Sequence, residues 1–141
     1  MPNWFEDLKI SPEERARFKG ELKFSEPLAK HTYYRIGGPA AVLAIPTSLS
    51  DLELLAQWIK RSGKGVFFLG SGSNLLVSDE GYQGWVIKAG RANQETSLQG
   101  DILRTGSGVA ISSLLRRAGT EGWGGLEIWT GIPGTVGGVV K

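Results

Sequence analysis

The sequence predicts a mixed α/β (α+β) fold, and three observations predict it. The apolar run Ala41-Val42-Leu43-Ala44-Ile45, an amphipathic helical stretch and a second apolar run, Gly65-Val66-Phe67-Phe68-Leu69, make a strand, helix, strand unit. Further along, strand-like Trp85-Val86-Ile87-Lys88 and Asp101-Ile102-Leu103-Arg104-Thr105 precede a second amphipathic helix over about 110–121. Twenty-one glycines without a collagen-like period fall mostly at the ends of these runs, which predicts many tight turns and close backbone approaches.

In chain order, Trp4, Phe5, Leu8 and Ile10 form an apolar cluster ahead of Ser11-Pro12-Glu13-Glu14. A serine N-cap, proline at the first helical position and glutamate at the third make a capping box, so a short helix is expected as far as Phe18 or Lys19. With its flanks it reads as an arm packed on the body, residues 1–21. From 22 to 45 the pattern is extended and punctuated by glycine, and Pro46 ends the buried strand Ala41-Val42-Leu43-Ala44-Ile45. Ser50-Asp51-Leu52-Glu53 repeats the capping-box pattern and opens a helix with Leu52, Leu55, Ala56 and Ile59 on one face. Lys60-Arg61-Ser62-Gly63 ends it with a basic turn and a glycine stop. The strand that follows implies a right-handed crossover and a parallel pair. In the second helix, Ile111, Leu114, Leu115 and Ala118 face inward, and Arg116 and Arg117 face solvent.

Gly70-Ser71-Gly72-Ser73-Asn74 follows the carboxyl end of a strand, where open α/β sheets place ligands, before apolar Leu75-Leu76-Val77. The glycines permit positive φ and close approach, and the serines and Asn74 add donors beside clustered backbone N–H groups. The loop is therefore open to two readings, a phosphate or pyrophosphate cradle and an ordinary Gly-Ser turn between strands. It is not a Walker loop, since no Gly-Lys-Ser/Thr ending and no helix follow. Nor does its glycine spacing fit a Rossmann fingerprint. Arg35, beside Gly37 and Gly38, is either an anion contact or a surface arginine before a turn. The closing stretch 124–141 holds six glycines and reads either as a run of turns or as backbone lying nearly flat against a large planar ligand. His31 reads as a solvent-exposed loop residue without an acidic partner.

At 141 residues the chain can form one domain or two small subdomains sharing a cleft. With 40% hydrophobic and 21% charged residues the composition is globular. The net charge of +2 is dispersed, without a basic stripe interleaved with aromatics, so nucleic acid is not an expected partner. No cysteine means no disulfide, thiolate metal site or cysteine nucleophile, and one histidine excludes a histidine-rich metal centre. The amino terminus lacks the basic region of a signal peptide, and no apolar run reaches membrane-spanning length. A soluble cytoplasmic protein is the expectation.

Taken together, three stretches resemble one family: Thr32-Tyr33-Tyr34-Arg35-Ile36-Gly37-Gly38, Leu69-Gly70-Ser71-Gly72-Ser73-Asn74-Leu75-Leu76-Val77, and Gly125-Leu126-Glu127 leading to Gly131-Ile132-Pro133-Gly134-Thr135-Val136-Gly137-Gly138. In order and spacing they are similar to the flavin-dependent UDP-N-acetylenolpyruvoylglucosamine reductases, also called UDP-N-acetylmuramate dehydrogenases, over about residues 22–141. The resemblance implies an FAD domain of the vanillyl-alcohol-oxidase/PCMH type. It divides into two small α/β subdomains, 22–80 and an incomplete 81–141, with flavin in the cleft between them. It assigns cofactor contacts to Arg35, Gly37, Gly70, Ser71, Gly72, Ser73, Asn74, Leu75, Gly125, Ile132, Pro133, Gly134, Thr135, Gly137 and Gly138. The pyrophosphate is expected on the 70–74 loop and the flavin along 132–138.

The resemblance also implies an oxidoreductase of peptidoglycan synthesis, in which NADPH reduces FAD and the reduced flavin delivers hydride to the enolpyruvyl group of a UDP-sugar. In the family a serine, an arginine and a glutamate complete the reaction. Those positions lie beyond the part matched by this chain, so no catalytic residue is named and no turnover by this chain alone is expected. A weak affinity for FAD is the corresponding expectation, and so is association of copies across an exposed cleft. The alternative is a stand-alone flavin- or nucleotide-binding module, or a degenerate structural one, that works by binding a partner.

Overall fold

The computed structural model describes all 141 residues. It is a mixed α/β structure built on a four-stranded sheet and a separate two-stranded hairpin. The chain runs α1 (Asn3–Glu6), α2 (Pro12–Arg17), β1 (Glu21–Pro27), β2 (Pro39–Ile45), α3 (Leu49–Ser62), β3 (Val66–Phe68), β4 (Tyr82–Ile87), β5 (Thr96–Gln99), β6 (Ile102–Thr105), α4 (Ile111–Glu121) and α5 (Val136–Val140).

The four-stranded sheet has the order β1-β2-β4-β3, with β1 antiparallel to β2 and the other pairs parallel. The expected strand, helix, strand unit is present, but β2 and β3 are not partners. β4 lies between them, pairing Val42 with Trp85 on one side and Val66 with Trp85 on the other. So 85–88, grouped by sequence with 101–105 in a second subdomain, supplies the middle of the first sheet. Only β5 and β6 form the second sheet, and β5 comes from a stretch that reads as a polar loop because its residues are mostly exposed. A two-part division of the chain, which we keep as a proposal, would have its boundary after β4.

A parallel pair cannot be joined by a tight turn, because the chain must return along the whole length of the sheet. Residues 69–81 make that return from β3 to β4, and no second strand follows the loop. The 70–74 loop is thus the start of a crossover at the carboxyl edge of a parallel sheet, not a hairpin turn.

β2 is buried on both faces, as its uninterrupted apolar run requires. Val42 and Ala44, with Trp85 and Ile87 of β4, meet Leu8, Phe18, Leu54, Leu55 and Trp58. Leu43, Ile45 and Val86 face the other way with Leu28 and Leu69. Ala40 joins this second face because the register shifts between Ala40 and Val42. The amino-terminal arm closes the first core: Trp4 and Phe5 each lie 5.6 Å, centroid to centroid, from Trp85.

The capping box at Ser11 and Glu14 forms as expected. In α3, however, the cap is Ser48, whose hydroxyl accepts the Asp51 amide at 3.1 Å, and not Ser50. The buried face is Leu54, Leu55 and Trp58; Leu52 and Ile59 flank it and Ala56 is exposed. The reason is Asp51, which is 1% exposed. Its carboxylate accepts the amides of Thr47 and Lys19, both at 2.8 Å, and the Thr47 hydroxyl at 2.9 Å, tying α2, the β2–α3 turn and α3 together.

Burial pushes the Asp51 carboxyl up, but the donors from Thr47 and Lys19 outweigh that and hold it below the usual carboxylate range. Because the folded group titrates below the unfolded one, its contribution is complete above the ordinary range and is lost as pH falls through the lowered folded value. Asp51→Ala is expected to cost about 3 kcal/mol at neutral pH, since it strands buried donors. In urea denaturation, the gap between wild type and variant should narrow as pH falls below the ordinary carboxylate range. A gap independent of pH would contradict the role assigned to the charge.

Candidate cofactor site

A cleft of about 740 Å³ opens at the carboxyl end of β3. One wall is the crossover loop: Gly70, Ser71, Gly72, Ser73, Asn74 and Leu75. The other is Ile132, Pro133, Gly134, Thr135, Gly138 and Val139. Two stretches sixty residues apart in sequence thus face each other. A Cβ on Gly70 would come within 2.9 Å of Thr135 Oγ1, and one on Gly134 within 3.5 Å of Ser73 Oγ.

Each wall is fixed by backbone bonds. On the loop side, the Tyr33 amide donates to Gly72 O at 2.8 Å and the Gly38 amide to Ser78 O at 2.9 Å. Gly72 is buried at φ +70°, and a Cβ there would collide with the carbonyl oxygen of His31 and lie 3.0 Å from Thr32 Cα. A Cβ on Gly37 would meet Val77 Cβ at 2.7 Å, and one on Gly38 would collide with the Asp79 carbonyl. The motifs at 32–38 and 69–77 therefore belong together because the first is the bed on which the second lies.

On the opposite side, Ile111 N donates to Gly134 O, Val136 N to Val109 O and Gly137 N to Ser107 O, at 2.9–3.0 Å. Buried Val136 packs on Ile111 and Leu114. The segment does not lie flat: Thr135 turns it into α5, because these bonds pin it to the start of α4. Pinning leaves Thr135 Oγ1 and the 132–134 backbone facing the loop.

Of the residues marked from sequence, Arg35, Gly37, Gly125 and Gly137 are not among those that line the cleft. Gly37 and Gly137 serve packing, the latter against Ser107 at 3.0 Å. Arg35 is exposed at φ +56°, its amide bonded to Thr32 O. Gly125 lies in open space at φ +91°. Tyr34, Phe67, Phe68, Leu69, Val139 and Lys141 line the cleft and were not marked. The signal for the phenylalanines was their place at the end of a strand entering the glycine loop; exposed Phe68 has no core to fill.

Gly70, Ser71 and Thr135 also line a second recess, of about 360 Å³, together with Lys23, Lys88, Arg91, His31 and Gln94, among others. Arg91, at 2.8 Å, and Lys23, at 3.4 Å, hold the Glu21 carboxyl below its usual range. His31 is not the solvent-exposed residue its loop position suggested. Its side chain is 12% exposed, and Nε2 lies 3.1 Å from Glu26 Oε1. The partner was invisible in sequence because it comes from β1, five residues back and across a turn.

An aromatic cleft lined at one edge by backbone, glycine and hydroxyl groups, with a basic recess beside it, has the chemistry of a nucleotide-cofactor domain. The chain belongs to the family described as FAD binding domain, whose model matches residues 39–141. It is 41% identical over 132 residues to UDP-N-acetylenolpyruvoylglucosamine reductase of Bacillus subtilis, covering 94% of this chain and 44% of that one. The same-named protein of Heliobacterium modesticaldum is 42% identical over 123 residues, covering 87% and 39%. The crystal structure of the reductase from Thermus caldophilus superposes with a TM-score of 0.67 at 34% identity, covering 88% of this chain and 42% of that one. The chain thus spans about two fifths of the length of these relatives.

Proposed function

We propose that this chain forms the FAD-holding part of an NADPH-dependent reductase acting on the enolpyruvyl ether of a UDP-sugar in peptidoglycan synthesis. The observation that carries the reading is the meeting of the 70–75 loop and the 132–135 segment across one cleft. The residues fit the cofactor: a Cβ would narrow the approach at Gly70 and Gly134, and the surrounding donors are uncharged hydroxyl and backbone groups suited to a pyrophosphate. When bound, FAD supplies a two-electron carrier between nicotinamide and substrate.

Ser71 and Ser73, whose hydroxyls are 3.2 Å apart, would hold the pyrophosphate with the loop amides. Phe67, Phe68 and Ile132 would shield the ring system from water. Lys23, Lys88 and Arg91 would add positive potential on the recess side. In this reading these residues bind and orient the cofactor. We expect flavin affinity in the micromolar range, about −8 kcal/mol.

Titration with FAD, read by flavin fluorescence and by visible absorbance comigrating with protein on gel filtration, tests the proposal. ADP should compete and riboflavin should not, because the loop addresses the pyrophosphate. Absence of binding by both FAD and ADP would defeat it. The elution position also tests association: Ile128 is 80% and Val140 72% exposed, and a second copy would cover them.

A further inference from the structure

His31 ends the short 3-10 turn Leu28–His31 that leads out of β1. Its side chain and its main chain do different work. The imidazole is anchored: Nε2 lies 3.1 Å from Glu26 Oε1, and Glu26 is also paired with Lys30 at 3.5 Å. Burial pushes the Glu26 carboxyl up, but the hydrogen bond from His31 and the charges of Lys30, His31 and Lys23 hold it below the usual range, so the acceptor is a carboxylate. The His31 carbonyl, meanwhile, occupies the place where any Cβ on Gly72 would stand. Two residues on, the Tyr33 amide donates to Gly72 O at 2.8 Å. Residue 31 therefore joins an ion-paired cluster on β1 to the middle of the glycine loop.

That junction is tight. Gly72 is buried at φ +70°, and its carbonyl and Cα both lie against the 31–33 main chain. A rotation of the His31 peptide would press its oxygen into the loop or leave Gly72 without a floor. The neighbouring residues hold the ends of the turn: Leu28 N donates to Gly38 O at 3.0 Å, and Thr32 Oγ1 to Ile36 O at 3.0 Å. The His31 side chain has Glu26 as its hydrogen-bonding partner, and it faces the recess behind Ser71.

We infer that His31 is a positioning residue for the cofactor loop: its bond to Glu26 fixes the main-chain carbonyl on which Gly72 is seated, and so the spacing of the donors at Ser71 to Asn74. This rests on the reading of the loop as a pyrophosphate cradle. It predicts a function for a hydrogen-bonded pair outside the cleft. Gln at position 31 can place an amide N–H where Nε2 now stands, whereas Ala removes the anchor.

The test uses the full chain with His31→Ala, His31→Gln and Glu26→Ala, and FAD and ADP as probes. His31→Ala is expected to weaken both ligands about five- to tenfold, and His31→Gln to restore them to within about twofold. In the ligand-free protein, hydrogen exchange of the Tyr33 amide should quicken by a similar factor in His31→Ala and in Glu26→Ala. The Lys88 amide, bonded to Ala44 O in the sheet, should not change. Glu26→Ala leaves residue 31 intact, so the readout survives if His31→Ala does not fold. Unchanged Tyr33 exchange in the variants overturns the inference, and so does a His31→Gln variant as weak as His31→Ala. Failure of the wild type to bind FAD or ADP would instead defeat the cradle reading, leaving Tyr33 exchange to decide the positioning role.

Discussion

Trp85→Ala is expected to cost about 4 kcal/mol, the largest loss of stability from any single substitution considered for this chain. Trp85 is fully buried at the centre of β4. Its indole Nε1 donates to Ser62 Oγ at 3.0 Å, which fastens the end of α3 to the sheet. Its ring receives Trp4 and Phe5, so the amino-terminal arm depends on it as well. Truncation would leave a cavity that three elements line and none can fill by itself. A loss of that size is a large fraction of the roughly 5–15 kcal/mol that holds a domain folded.

Urea denaturation followed by tryptophan fluorescence measures the cost, and proteolysis within 1–20 reports release of the arm. The experiment also tests the topology. If β4 belonged with β5 and β6, the substitution would loosen the carboxyl-terminal half and leave hydrogen exchange in β2 unchanged. Faster exchange at Val42 and Ala44 is the result the observed strand order requires.

The strand, helix, strand pattern was legible because β2, α3 and β3 each carry their own local signal: an apolar run, a capped amphipathic repeat and a glycine stop at Gly63 in the left-handed conformation. The partner order was not. β4 enters between β2 and β3 from a stretch introduced by turn-rich Asp79-Glu80-Gly81, and nothing in a strand's own residues says which neighbours it will have. The α3 cap shifted for a similar reason. Ser48 and Ser50 are equivalent by pattern, and only the tertiary bond from Asp51 to Lys19 chooses between them.

At the site, the 70–75 loop and the stretch around Thr135 each left a turn and a ligand contact open by their own residues, and only the fold shows that they face each other. The meaning of Gly37 and Gly38 was not legible, because a glycine that admits another backbone and a glycine that admits a ligand leave the same mark in sequence. Five of the six overlooked lining residues are aromatic or aliphatic, and sequence alone assigns such residues to the core.

Gly72→Ala is the substitution expected to separate the loop's binding role from general stability most sharply. A left-handed alanine costs about 1–2 kcal/mol through its own backbone. At this position the methyl group must also displace the His31 carbonyl, which is main chain and cannot rotate aside as a side chain would. The loop moves instead, and with it Ser71 and Ser73. We expect a total cost of about 3 kcal/mol in stability and a loss of FAD and ADP affinity of about a hundredfold.

Gly63→Ala is the matched control. Gly63 also has positive φ, at +60°, but nothing lies within 4 Å of its Cβ position, at the far end of α3. It should cost about 1 kcal/mol and leave flavin affinity unchanged. Urea midpoints and flavin fluorescence on the two variants decide the matter. Binding losses in proportion to the two stability losses would mean that affinity follows stability alone, whereas a loss confined to Gly72→Ala requires the seat beneath the loop to be part of how the cofactor is held.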